Sequence, residues 1–102
     1  MIALIKSKRK ELARLCGRYR IRRLDVFGSA AEGGFDSGRS DVDLLVEFEP
    51  MASADHAECY FGALEALEAL FGRPVDLVET PGLDNPYFLE AIRPTRETIY
   101  AT

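Results

Sequence analysis

The chain of 102 residues holds one histidine, His56, and two cysteines, Cys16 and Cys59. A lone imidazole gives no basis for a histidine-rich metal site or a histidine-dependent catalytic triad. The cysteines lie far apart with no CxxC spacing, so neither a zinc site nor a redox pair is expected; both read as small buried or half-buried residues. Long hydrophobic runs are also missing. Nothing approaches the roughly 20 apolar residues that span a bilayer. The apolar start, Met1 to Ile5, is too short for a secretory core, and basic residues follow it instead of preceding it. The expectation is therefore a cytoplasmic protein with no membrane partner. No Gly-Lys-Ser or Gly-Lys-Thr is present, which excludes a P-loop. Repeats, low-complexity tracts and linkers are absent, which leaves one domain over residues 1–102.

What is present suits a soluble globular protein, because 47% hydrophobic and 29% charged residues leave enough apolar surface for one modest core. The net charge of −4 hides a split. Residues 1–23 hold nine basic side chains and one acid, Glu11, whereas the rest of the chain carries a net −12. The basic stretch reads as a solvated helix face, a surface for an acidic partner or nucleic acid, or a funnel for a polyphosphate. So short a basic stretch in an acidic chain argues against tight duplex binding.

Apolar spacing predicts a helix over residues 3–19, with Ile5, Leu12 and Leu15 near one face and Gly17 placed for a C-cap. A strand follows over Ile21 to Phe27, with Leu24 and Val26 on one side. A Gly-, Ser- and Asp-rich turn runs from Gly28 to Ser40. Asp41 to Glu49 is the clearest strand: Val42, Leu44, Val46 and Phe48 take one face, and Asp41, Asp43, Leu45 and Glu47 the other. Ser53 or Asp55 is placed to cap a helix reaching Phe71, whose stripe of Tyr60, Leu64, Leu67 and Phe71 marks a core face. Gly72 ends it. Pro74 to Glu79 forms a third strand, with Val75 and Leu77 opposite Asp76 and Val78. A loop leads to Asn85-Pro86, an N-cap and first-turn proline for a short helix to about Arg93. Glu97 to Tyr100 fits either a last strand or a helical turn. This order implies an α+β fold, a small mixed β-sheet backed by helices.

Three acids and one glycine turn carry the chemistry. Asp41 and Asp43 are two apart on a strand, so their carboxylates project from one face. Two carboxylates within about 4 Å repel by roughly 4 kcal/mol at an effective dielectric of 20. A divalent cation removes that cost, and magnesium favours oxygen ligands shared with phosphates. Alone, Asp-x-Asp equally fits a solvated strand start. Asp76 interrupts an apolar strand and faces away from Val75 and Leu77; if its strand lies beside that of Asp41, the three acids converge. One of them is then available as a base while the others hold metal. Gly28-Ser29 fits a simple tight turn, or a site where backbone N–H groups and the Ser29 hydroxyl hold a triphosphate.

The order of these pieces resembles the polymerase beta-like nucleotidyltransferases. It runs Phe27-Gly28-Ser29, eleven intervening residues, Asp41 through Phe48, then Pro74-Val75-Asp76-Leu77-Val78. Within that superfamily the chain is similar to the minimal nucleotidyltransferases, and Asn85-Pro86-Tyr87 through Ile92 and the closing Ile99-Tyr100 extend the likeness to its C-terminal end. The resemblance implies a nucleotidyltransferase fold in which Gly28 and Ser29 contact the triphosphate. Asp41 and Asp43 bind Mg2+, and Asp76 completes the carboxylate triad. It implies transfer of AMP from ATP to a hydroxyl, with release of pyrophosphate. Members this short resemble antitoxins that bind, and adenylylate, a HEPN-type ribonuclease toxin, so a protein acceptor is expected and direct nucleic-acid binding is not. One departure stands out: the group often reads Gly-Ser-x-Ala-Arg-Gly, whereas Glu32 occupies the basic position here. An acid repels a triphosphate unless turned away; Arg39 is a nearby alternative source of positive charge. Three readings follow. One is an active adenylyltransferase, the second an antitoxin that neutralises by contact with weak chemistry, and the third a transferase acting on RNA or a small molecule.

Overall fold

A computed structural model of the chain describes residues 2–28, 42–79 and 86–102. In chain order the elements are α1 (Ile2–Ser7), α2 (Arg9–Arg18), β1 (Ile21–Phe27), β2 (Val42–Phe48), α3 (Ser53–Phe71), β3 (Val75–Glu79), α4 (Pro86–Ile92) and β4 (Glu97–Ala101). The four strands form one sheet in the order β3-β2-β1-β4. β1 runs antiparallel to both β2 and β4, and β2 runs parallel to β3. A parallel pair needs a crossover, and the 19-residue α3 supplies it. The fold is the expected mixed sheet with helices.

Alternation along the strands decides which layer each side chain joins. Leu24, Val26, Val42, Leu44, Val46, Val75 and Leu77 pack on one face against Leu12 and Cys16 of α2 and Ala63, Leu67 and Phe71 of α3. Tyr60 and Leu64 flank that core half-buried, as the α3 stripe predicts. The opposite face holds a smaller cluster of Phe27, Leu45 and Ile92, with Val78 against it. Leu45 is therefore a core residue on the face it shares with Asp43. No helix among the described residues is long and apolar enough to cross a membrane.

Several local expectations give way to other physics. The predicted helix over residues 3–19 is two helices, broken at Lys8, where φ −106° and ψ 20° leave the helical region. Gly17 does not cap α2. The helix runs on to Arg18, and the left-handed residue is Arg20 at φ 58°. Its strain is offset where Glu49 N donates to Arg20 O at 2.9 Å, tying the exit of α2 to the end of β2. Neither Ser53 nor Asp55 caps α3; the N-cap is Ala52, with no side-chain hydrogen bond. Gly72 does close α3, at φ 68° with its N–H donated to Glu68 O. The alternatives for Glu97 to Tyr100 resolve as a strand because β1 has a free edge there for β4 to pair with.

Candidate active site

Both parallel strands start at the same end of the sheet, where Val42 N donates to Pro74 O at 3.0 Å. Asp43 and Asp76 are each the second residue of their strands, and they are partners in register. Parallel neighbours lie about 4.8 Å apart, and both side chains point away from the main core. Asp43 is half-buried and Asp76 exposed. On the other side of β2, Phe27 is the register partner of Asp43, so the C-terminal end of β1 reaches the same sheet end. Gly28 follows it. Asp41, Ser29, Glu32 and Arg39 lie outside the described residues.

Gly28 stands at φ +71°, and a Cβ there would come within 2.6 Å of Asp43 Oδ2. The missing side chain therefore makes room for the Asp43 carboxylate, a use of glycine that sequence spacing does not reveal. The Gly28 N–H is engaged, donating to Thr95 Oγ1 at 3.0 Å. What Gly28 brings to the site is space and a left-handed turn.

Beneath this rim sits Asp25, only 1% exposed, on the same sheet face. Arg23 Nε donates to its Oδ1 at 3.1 Å, and Arg96 Nε donates to its Oδ2. Burial alone would raise the Asp25 carboxyl, but hydrogen bonds from Arg96, Thr98 and Arg23 outweigh it and hold the group below its ordinary value. Sequence reading missed this cluster. Its one signal was an acid in the apolar run Leu24-Asp25-Val26, and its partner Arg96 is 71 residues away.

Tyr60 Oη donates to Leu77 O at 2.6 Å on the edge strand that carries Asp76. Its hydroxyl is pushed up by burial, then by the charges of Glu79 and Asp76. His56 Nε2 and Glu79 Oε1 pair at 2.8 Å, and the imidazole meets the Phe48 ring edge-on. This accounts for the lone histidine by local packing. Cys16 is buried, and burial pushes its thiol up to about 12, which makes it inert. Cys59 is half-buried.

The donor set suits a hard cation: two carboxylates on adjacent strands, all-oxygen, at an open sheet end. Among the described residues no group of three metal-ligating side chains forms.

The sheet thus carries an acid on each of two parallel strands, beside a glycine that clears space for one of them. A sequence profile of the nucleotidyltransferase domain matches residues 5–99, and the chain belongs to that family. Among solved structures it is similar to a minimal nucleotidyltransferase at 36% identity, with a TM-score of 0.68, covering 90% of this chain and 89% of that one. A toxin–antitoxin with AMP-PNP superposes with a TM-score of 0.66 at 17% identity, covering 92% of this chain and 73% of that one. A Shewanella oneidensis MNT antitoxin complex with a tri-AMPylated HEPN toxin gives a TM-score of 0.62 at 14% identity, covering 96% and 73%. At such identities these last two show a shared fold. No curated protein sequence matches significantly.

Proposed function

We propose that residues 1–102 form a single minimal nucleotidyltransferase domain that transfers AMP from ATP to a hydroxyl of a partner protein. Mg2+ is the metal, and the partner is the HEPN-type ribonuclease toxin of a toxin–antitoxin pair. The observation that carries the reading is the register pairing of Asp43 with Asp76 beside Gly28. Asp41, Asp43 and Asp76 are the catalytic and metal-holding acids; Gly28 and Ser29 are the nucleotide-binding residues. Mg2+ bound by these carboxylates supplies charge neutralisation to the triphosphate. The acceptor oxygen forms a bond to the α-phosphorus, the bond to the bridging oxygen breaks, and pyrophosphate leaves. The acceptor proton passes to one of these carboxylates, and the exposure of Asp76 makes it our choice of base. The solved complex of an AMPylated HEPN toxin with an MNT antitoxin on the same fold supports the choice of acceptor.

Glu32 motivates a second reading, an antitoxin that neutralises its partner by contact with weak chemistry. Transfer to RNA or a small molecule is the third. Intact mass spectrometry separates them: the neighbouring gene product is incubated with this protein, ATP and Mg2+. Mass steps of AMP that vanish with Asp41→Asn establish the transferase and its acceptor. A tight complex without mass change favours the contact reading. Absence of any complex directs the search to RNA and small molecules.

A further inference from the structure

The corner between α4 and β4 holds a hydrogen-bond relay that the transfer chemistry leaves unexplained. Gly28 N donates to Thr95 Oγ1 at 3.0 Å, and Thr95 Oγ1 in turn donates to Ile92 O at 3.1 Å. The same carbonyl accepts Thr95 N at 3.0 Å and Arg96 N at 2.9 Å, so the corner is fixed before it meets Gly28. Ile92 packs on Phe27 and Leu45, and Arg96 grips the buried Asp25. The corner is thus clamped to the sheet on both sides of Thr95.

We propose that Thr95 is a positioning residue for metal and nucleotide binding, acting through Gly28 on Asp43. The inference rests on the transferase reading of the site. Thr95 provides the acceptor for the Gly28 amide, which holds the glycine at φ +71°. In that conformation the Cα of Gly28 leaves room for Asp43 Oδ2 and for little else, since an added Cβ would approach it to 2.6 Å. Removing the hydroxyl releases the amide, the turn relaxes, and the space that the left-handed glycine keeps for the Asp43 carboxylate is no longer held. Partners that orient a metal ligand typically govern affinity or activity by about 10–100-fold. Ile92 O keeps its two backbone donors without the hydroxyl, so the corner itself remains folded.

The test compares wild type with Thr95→Val, Thr95→Ser and Asp43→Asn. Mn2+ binding is read by the loss of free-ion electron paramagnetic resonance signal, and the Mg2+ dependence of transfer is read in parallel. Urea melts report folding. We expect Thr95→Val to bind Mn2+ about tenfold more weakly and to need about tenfold more Mg2+ for half-maximal transfer. Thr95→Ser should match wild type, because it retains the hydroxyl. Should Thr95→Val fail to fold, Thr95→Cys, a weaker acceptor of similar size, is read for the same shift. A Thr95→Val protein that melts earlier yet binds Mn2+ like wild type overturns the positioning role and leaves the transferase reading standing. So does Thr95→Ser as weak as Thr95→Val. Wild type that binds Mn2+ no better than Asp43→Asn overturns both.

Discussion

An alanine at position 28 meets two obstacles at once. Its φ of +71° lies in the left-handed region, which costs a residue with a Cβ about 1–2 kcal/mol. Its methyl group would sit 2.6 Å from Asp43 Oδ2, so the carboxylate must turn away. Gly28→Ala should therefore lower unfolding stability by about 1–2 kcal/mol in urea melts and abolish most transfer activity, a loss larger than the stability change explains. Asp25 offers a different kind of dependence, because its charge is buried and held by Arg23 and Arg96. Arg96→Ala leaves that carboxylate with one fewer cation and should cost about 3 kcal/mol at pH 7. The depressed folded value of Asp25 means its contribution is present above the unfolded value of about 3.9 and is lost as pH falls through the folded one. The gap between Arg96→Ala and wild type should thus narrow below about pH 4 in pH-resolved melts.

At the scale of elements, β3 is the edge on which the proposed third acid sits, and its backbone is braced by side chains of α3. Tyr60 covers Leu77 O, and Glu68 accepts the Val75 N–H at 3.1 Å. Tyr60→Phe should remove about 1 kcal/mol of stability and raise hydrogen exchange along β3, with the sheet otherwise intact. The faces of β2 and β3 were legible in the sequence because the period of two puts Val42, Leu44 and Leu77 opposite Asp43 and Asp76. The buried face of α3 was legible from the spacing of Tyr60, Leu64, Leu67 and Phe71. Helix ends were not. The break at Lys8, the uncapped start at Ala52 and the left-handed Arg20 depend on what the chain packs against next, and local propensity carries none of that. The same limit hid Thr95 and Arg96, whose partners Gly28 and Asp25 are brought to them only when β4 pairs with β1.

Across the whole molecule charge is mixed on both sheet faces: on one, acidic α3 packs beside basic α2, and on the other Arg23 and Arg96 meet Asp25. The basic α2 buries Leu12 and Cys16 on the face opposite Asp43, so its exposed Lys10, Arg14 and Arg18 are not neighbours of the carboxylates. Arg23 is the member of that basic segment on the Asp43 face, and it pairs with Asp25; under the proposed reading the charge that a triphosphate needs comes from a bound cation. That need makes stability itself a readout of the site. A ligand that binds only the folded chain stabilises it by RT ln(1 + [L]/Kd), about 1.4 kcal/mol at ten times Kd. For a domain of this size that corresponds to roughly 6–11 °C in Tm. Mg2+ with ATP should produce a shift of that order in wild type and none in Asp43→Asn. Without ligand, Asp43→Asn should melt at or slightly above the wild-type temperature, because its amide no longer repels Asp76 across the parallel pair. A ligand shift that survives in Asp43→Asn would place nucleotide binding elsewhere on the molecule. A ligand-free variant that melts well below wild type would mean that the carboxylate serves the fold before it serves the metal.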